Sequence, residues 1–326
     1  MTKYKRIGVL TSGGDAPGMN AAVRAVVRAG LYNKMQVSGI RRGYDGLIKG
    51  DYFDLKSKDV SNIIHQGGTF IKSARSEEFM GKEGRYKAYR KLIEAGIEAL
   101  VVIGGDGTFT GAHIFSNEFD FPVIGIPGTI DNDLYGTDIT IGYDTALNTV
   151  VEAVDKIRDT ATSHDRLFFV EVMGRDVGFI ALRAGIASGA EAVFIPETPT
   201  KLDNFKDYLY NGENKKKSSN ICIVAEGDEA GGAFDIAAEV KNNLPGYDIK
   251  VTILGHIQRG GSPSAFDRYL ASKLGIASVE ALLEDQRNIM VGLKGREVDY
   301  VPLLKTIKHH KTPDQTMIDM LNILNY

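Results

Sequence analysis

An α/β architecture of open, mostly parallel sheets with intervening helices is predicted by two regularities and one number. At least six short apolar runs end in Gly or Pro followed by a polar or charged residue, and helical stretches stand between them. The run at 99–103, ALVVI, has no polar interruption, as a parallel strand covered on both faces requires. The length, 326 residues, suffices for about two domains. The expectation is two Rossmann-like, three-layer α/β/α domains, with ligands beyond the carboxyl ends of the strands.

Taken in order, residues 6–10 are an apolar strand running into Thr11-Ser12-Gly13-Gly14-Asp15. Pro17 stands at a first helical position, and Met19, Val23, Val26 and Val27 mark one helix face that Gly30 closes. Strand, glycine turn and helix start together present backbone N–H groups to an anion, and two glycines let that backbone approach a phosphate. The turn lacks the Gly-Lys-Ser/Thr of a Walker loop and the G-x-G-x-x-G of a dinucleotide turn, so a merely tight connection is the alternative. Residues 37–40 read as a short second strand and 41–50 as a glycine-punctuated loop holding Tyr44. His65-Gln66-Gly67-Gly68-Thr69, with Lys72, Ser73 and Arg75, is a polar loop with two cations, suited to a nucleotide phosphate or simply solvated. A helix of mixed charge covers 84–95. The strand at 99–103 then ends in Gly104-Gly105-Asp106-Gly107-Thr108, repeating the first pattern with a helix after it. A carboxylate beside a phosphate-binding turn is disfavoured unless a cation bridges them, which makes Asp106 the metal-side residue, acting through oxygen on Mg²⁺.

Residues 122–126 form a buried strand stopped by Pro127 and Gly128. Thr129, Asp131 and Asp133 then alternate, so an extended backbone turns all three side chains to one side. Two carboxylates and a hydroxyl with no basic residue between them need a cation or a proton, which a metal-assisted proton transfer provides. A polar turn capped by its own Asp and Asn is the plainer reading. A helix starts at 142–145, with Ala146, Leu147, Val150, Val151, Val154 and Ile157 spaced for one buried face. After a loop at 160–164, a strand at 167–172 ends in Met173-Gly174-Arg175. A short strand at 192–195 is closed by Pro196-Glu197. Lys215-Lys216-Lys217 precede a strand at 221–225 that ends in Glu226-Gly227. The last clear strand, 251–254, ends in Gly255-His256-Ile257-Gln258-Arg259. The remainder reads as mainly helical, with a short strand at 289–292. Gly14, Asp106, Asp131, Arg175, Glu226, His256 and Arg259 all stand at such strand ends, and so are expected to share one crevice or two facing ones.

The net charge of −3 argues against a nucleic-acid protein, although a few local Arg residues suffice for anionic substrates. The single Cys222 permits no internal disulfide framework, fits a reducing compartment, and lies in an apolar run where a buried, inert thiol is expected. The apolar run that follows residues 1–6 is too short for a signal-peptide core, and no apolar run approaches the roughly 18 residues of a membrane span. A cytoplasmic protein without membrane or nucleic-acid partners is expected. Composition marks no linker, so it fixes no domain boundary.

Five stretches carry a resemblance: GVLTSGGDAPGMNA, IGGDGT, PGTIDND, EVMGR and LGHIQRGGSP stand in the order and at spacings similar to those of bacterial ATP-dependent 6-phosphofructokinases. The likeness runs from about residue 6 to 285 and weakens beyond. It implies a homotetrameric two-domain enzyme. Residues 1–142 and 258–308 would bind ATP, and 143–257 and 309–326 fructose 6-phosphate. The reaction implied is transfer of the γ-phosphoryl group, with Mg²⁺, to the sugar's 1-hydroxyl, giving fructose 1,6-bisphosphate and ADP. Asp131 then matches the general base, Thr129 and Asp133 its neighbours toward substrate and metal, and Arg75 and Arg175 the cations that stabilise the transferring group. Gly14 matches a backbone donor to that group, Gly105, Asp106, Gly107 and Thr108 the ATP-phosphate turn, and Ser76 a position bordering the nucleotide. Met173, Gly174, Glu226, His256 and Arg259 match the sugar-phosphate pocket, with Arg166 and Lys250 supplied by a neighbouring subunit. The family usually has Arg where Lys250 stands.

The resemblance also implies an effector site for ADP and phosphoenolpyruvate at Arg24, Arg28, Arg158, Gly189, Glu191, Lys215 and Lys217; solvated surface cations are the plain alternative. Ser57, Ser218 and Ser219 replace basic residues found in relatives, which implies weakened or altered regulation. Pyrophosphate-using relatives tend to carry Asp at the Gly107 position and Lys at the Gly128 position, so the two glycines favour ATP. A non-catalytic sugar-phosphate sensor would need no base, and a nicotinamide dehydrogenase would need a dinucleotide turn.

Overall fold

The computed structural model describes residues 3–162, 166–199, 205, 220–243 and 248–324. It is an α/β protein whose chain divides into two compact units, Met1–Thr145 with Arg259–Lys311, and Ala146–Gln258 with Thr312–Tyr326. The strands are β1 (Arg6–Thr11), β2 (Gln36–Ile40), β3 (Tyr52–Asp54), β4 (Ala99–Gly104), β5 (Val123–Pro127), β6 (Arg166–Val172), β7 (Ala192–Phe194), β8 (Asn220–Ala225), β9 (Asp248–Ile253), β10 (Ile289–Lys294) and β11 (Glu297–Pro302). The helices are α1 (Met19–Tyr32), α2 (Gly43–Lys49), α3 (Glu77–Met80), α4 (Lys82–Glu94), α5 (Asp106–Phe119), α6 (Tyr143–Thr162), α7 (Phe179–Ser188), α8 (Ala233–Asn243), α9 (Ala265–Leu283), α10 (Leu303–Lys308) and α11 (Gln315–Leu324).

The first unit is built on a seven-stranded sheet of order β11-β10-β5-β4-β1-β2-β3. Its central strands run parallel, and the two edge strands are antiparallel to their neighbours. Strands β4 and β5 are buried along their whole length, which is why they read as unbroken apolar runs. On one face Phe109 and Phe115 of α5 pack with Tyr44, Phe79, Val102 and Phe121. A Cβ at Gly125 would lie 2.7 Å from the Phe109 ring, so glycine lets α5 close onto β5. Truncating so large a buried ring typically costs about 3–5 kcal/mol.

The second unit carries a four-stranded, all-parallel sheet of order β7-β8-β6-β9. Leu167, Phe169, Phe194, Val224 and Ile236 form its core. Cys222 is a fully buried free thiol within that core, held above its ordinary range by burial first and by the Glu191 charge second. It is an apolar filler, as its surroundings in the sequence suggest.

The structure departs from the sequence reading in four places. Residues 41–50 are not a plain loop: they contain α2, whose Tyr44, Leu47 and Ile48 are buried at helical spacing. Gly30 does not end α1, which continues to Tyr32; glycine stands there because a Cβ would lie 2.6 Å from Val37 of β2. The strand at 289–292 is half of a hairpin with β11, and β3 forms the opposite edge. The 129–133 stretch is not extended, for reasons that belong to the site.

Candidate active site

Three turns meet at the carboxyl ends of β1, β4 and β5. The ladder sets Thr11 opposite Ile103 and Gly104 opposite Pro127. Past the strands the pairing continues: the Ser12 N–H donates to Ile103 O at 3.0 Å, and the Gly128 N–H to Gly104 O at 3.0 Å. A Cβ at Gly105 would lie 3.5 Å from Thr129 Cβ, and one at Gly13 would lie 3.4 Å from Thr108 Oγ1. Gly14, the 105–108 turn and Thr129 are therefore neighbours. Arg259 lies over the exposed Gly14, where a Cβ would overlap its guanidinium, and its Nη1 donates to Asp15 O at 3.3 Å.

Asp106 opens helix α5, whose first-turn N–H groups and dipole favour an anion. Its Oδ1 is buried and has no hydrogen-bond partner. A buried, unmatched carboxylate oxygen is costly unless a cation sits against it, so this atom fits a magnesium ligand. No group of three or more Asp, Glu, His or Cys gathers as a metal site among the described residues. Gly107 is exposed, and a Cβ there would meet nothing within 4 Å. Thr108 is fixed through its carbonyl, which accepts from the Tyr44 hydroxyl at 2.6 Å. Tyr44 stacks on Phe79 at 4.0 Å, and burial pushes its phenol above the usual range.

Thr129 and Asp131 are buried, and the Asp131 N–H donates to Thr129 Oγ1 at 3.2 Å. Asn132 has φ 55°, so the chain turns before Asp133 and the predicted one-sided alternation of 129, 131 and 133 does not hold. What fixes this turn is the segment that follows. Thr140 donates its N–H to Asn132 Oδ1 at 3.0 Å and its hydroxyl to Thr129 O at 2.6 Å. The Ile141 N–H donates to Pro127 O at 2.9 Å. The Lys311 N–H donates to the Asp133 carbonyl at 3.0 Å.

The 65–75 loop is fastened to the same strand end. Asn20 of α1 donates to Gln66 O and Gly67 O, both at 3.1 Å, and accepts from the Phe70 N–H at 2.8 Å. Thr11 Oγ1 pairs with Thr69 Oγ1 at 2.8 Å, and Ser73 Oγ donates to Gly13 O at 2.8 Å. Arg75 is left exposed at the loop's end. Ser76 caps α3, its Oγ accepting from the Phe79 N–H at 3.4 Å. Thr11 and Asn20 stand inside the first of the five quoted stretches, but neither they nor Thr140 were singled out, because the partner a polar side chain finds once buried leaves no local signal in the sequence.

In the second unit, Arg166 and Lys250 stand on neighbouring strands and share Asp248, at 2.9 Å and 2.7 Å. Hydrogen bonds from Lys250 first and Arg166 second hold the Asp248 carboxyl below its usual range. The Glu226 carboxylate accepts from the N–H groups of Gly174 at 3.3 Å and Arg175 at 2.9 Å, which pins the Met173-Gly174-Arg175 turn. Arg175 itself is in the left-handed region, φ 57°, with its side chain exposed. The Met173 N–H donates to Gln258 Oε1 at 3.2 Å, and His256 is exposed on the 3₁₀ turn Gly255–Arg259.

Of the expected effector residues, Arg24 and Arg28 lie one helical turn apart on α1. Desolvation, then Arg28, lowers the Arg24 pKa, and the buried Arg24 Nε has no hydrogen-bond partner. In the second unit, Arg158 donates to Ser188 O and Gly189 O, both at 2.9 Å, and pairs with Glu191 at 3.4 Å. Lys215, Lys217, Ser218 and Ser219 lie outside the described residues; Ser57 is exposed. No described helix is long and apolar enough to cross a membrane.

The family model described as phosphofructokinase matches residues 6–282. The chain is 60% identical over 325 residues to a Bacteroides thetaiotaomicron protein named ATP-dependent 6-phosphofructokinase 2, covering 100% of each. It is 54% identical over 321 residues to the ATP-dependent 6-phosphofructokinase of Cytophaga hutchinsonii, covering 98% of each. The phosphofructokinase structure from Saccharomyces cerevisiae superposes with a TM-score of 0.91 at 35% identity, over 98% of this chain and 49% of that one. The chain thus spans about half the length of that yeast polypeptide.

Proposed function

The chain belongs to the phosphofructokinase family, and from that premise we propose how its residues phosphorylate fructose 6-phosphate with ATP. The reaction is that of an ATP-dependent 6-phosphofructokinase: the γ-phosphoryl group passes to the sugar's 1-hydroxyl, giving fructose 1,6-bisphosphate and ADP, an early step of glycolysis. The observation that carries the residue assignment is the contiguity of the Gly14, Gly105–Thr108 and Thr129–Asp131 turns, with the unmatched Asp106 oxygen among them.

The first unit takes the nucleotide. Asp131 accepts the proton of the attacking hydroxyl. Thr129 and Asp133 flank it toward substrate and metal. The Gly14 N–H and the Arg75 and Arg175 guanidinium groups stabilise charge on the transferring phosphoryl group. Gly105, Gly107 and Thr108 form the turn that receives the ATP phosphates, and Ser76 borders the nucleotide. Asp106 would hold magnesium, which when bound neutralises phosphate charge and orients the leaving group. Met173, Gly174, Glu226, His256 and Arg259 form the sugar-phosphate pocket, to which Arg166 and Lys250 also belong. Arg166 and Lys250 serve a neighbouring subunit of a homotetramer. ADP and phosphoenolpyruvate act at Arg24, Arg28, Arg158, Gly189, Glu191, Lys215 and Lys217, and the enzyme works in the cytoplasm.

A coupled assay with ATP or pyrophosphate as donor tests the donor, with turnover expected only with ATP. The Asp131→Asn enzyme tests the base: kcat should fall by about 10³-fold with KM little changed. Near-normal turnover would remove Asp131 from that role.

A further inference from the structure

We propose that Asp267, remote from the reacting groups in the chain, is a positioning residue that fixes the stretch carrying Thr129 and Asp131. Asp267 is fully buried on α9. Its Oδ1 accepts from the Gly142 N–H at 2.9 Å, and its Oδ2 from the Thr145 N–H at 2.8 Å and the Thr145 hydroxyl at 2.5 Å. Those residues end the segment that is zipped onto the catalytic turn through Thr140 and Ile141. The opposite side of the clasp touches the segment that follows the Gly14 turn. A Cβ at Gly142 would lie 2.6 Å from Ala16 Cβ, and one at Gly18 would lie 2.6 Å from Ile141 and 3.6 Å from Asp267 Cβ. One buried carboxylate thus anchors the segment that braces the loop bearing the base, and that segment packs against the residues following the Gly14 turn.

A second clasp closes the arrangement. Ser264 Oγ donates to Asp144 Oδ2 at 2.6 Å, the Ser264 N–H donates to Thr145 Oγ1 at 2.9 Å, and Ser264 Oγ accepts from the Asp267 N–H at 3.1 Å. No cation faces Asp267 from the bonded residues. Its charged neighbours are Asp144, which raises its pKa, and Arg268, whose guanidinium is turned to Pro263 O and Ser262 Oγ. Burial is the main cause that pushes the Asp267 carboxyl up, to about 6. Below that pH one oxygen carries a proton, and because a solvated carboxyl takes one up only near 3.8, protonation favours the closed clasp.

The role rests on Asp131 being the base; the structural clasp does not, so the test reads both. Hydrogen exchange of the full chain, corrected for intrinsic rate, is followed on the peptide spanning 139–146. Opening hydrates the carboxyl and returns its pKa toward 3.8, so in the parent, protection should rise about fourfold between pH 7.5 and 5.5; in Asp267→Asn it should be low and flat. At pH 7.5, Asp267→Asn should lose about tenfold or more in kcat, with both KM values within about twofold. Flat protection in the parent through pH 6 overturns the proposal even if the variant does not fold, and so does a folded variant with parental kcat. Parental turnover in Asp131→Asn would instead sink the base assignment and leave the exchange result standing.

Discussion

Gly107→Asp should make the protein more stable and a far poorer user of ATP. Gly107 lies in the first turn of α5, is exposed, and has empty space where a Cβ would go. Replacing helical glycine gains a few tenths of a kcal/mol, and a carboxylate in a first helical turn adds about 0.3–1 kcal/mol. The fold should therefore gain about 0.5–1 kcal/mol. A nucleotide phosphate brought to the same turn meets the new charge. At about 5 Å and an effective dielectric of about 20, two unit charges repel by about 3 kcal/mol. That is about a hundredfold in kcat/KM for ATP. Urea unfolding reads the first quantity and a coupled assay with varied ATP the second, with the fructose 6-phosphate KM as internal control. Gly107→Ala, which adds bulk without charge, should gain about 0.5–1 kcal/mol in unfolding as a better helix former while its ATP kcat/KM stays near the parent. A Gly107→Asp enzyme with unfolding midpoint raised and ATP kcat/KM within threefold of the parent would refute the placement of the triphosphate at this turn.

Other consequences follow from single groups. Lys250→Arg should lower the fructose 6-phosphate KM about threefold, because a planar fork grips phosphate with two bonds where an ammonium offers a point charge; an equal or higher Michaelis constant in the variant would contradict it. Asp106→Asn should raise the magnesium needed for half-maximal activity about tenfold, since the neutral amide no longer compensates the cation; an unchanged metal titration would remove Asp106 as ligand. Asp267 has a folded-state pKa of about 6, above the ordinary 3.8, so its stabilising share is present at low pH and fades as pH rises through 6. Relative to Asp267→Asn, the parent should lose about 1.3 kcal/mol of unfolding free energy between pH 5 and 7. A constant difference across that window would show that the buried carboxyl does not titrate there.

Much of this protein was written locally. The unbroken run of β4 announced a parallel strand covered on both faces, because such a strand has no solvent side to mark with polar residues, and β5 and β8 proved to be buried in the same way. The glycine turns at 13–14 and 104–107 were legible because glycine marks a positive φ, as at Gly13, or a close approach, as at Gly104, where a Cβ would lie 2.6 Å from Ser12 O. The edge strands β3 and β11 were not read: YFD is too short to show a period, and EVDYVP lies half in solvent. The Gly295 turn between β10 and β11, with φ 60°, was the signal that hairpin offered.

What the amino-acid order determined by itself was the alternation of strands and helices and the chemistry at each strand end. The three-dimensional fold decided which of those ends are neighbours and what holds them. Ser264 and Asp267 stand three apart at the start of α9, the spacing of a helix's own capping pair. Ser264 does cap α9, but the Asp267 carboxylate reaches instead to Gly142 and Thr145, more than a hundred residues away in the chain. Asn132, read as part of an extended strand end, bends the chain because Thr140 supplies a partner for its amide oxygen. A side chain's donors and acceptors are fixed by its type, but the partner that satisfies them once buried is fixed only by which segments pack around it, and that is a property of the fold.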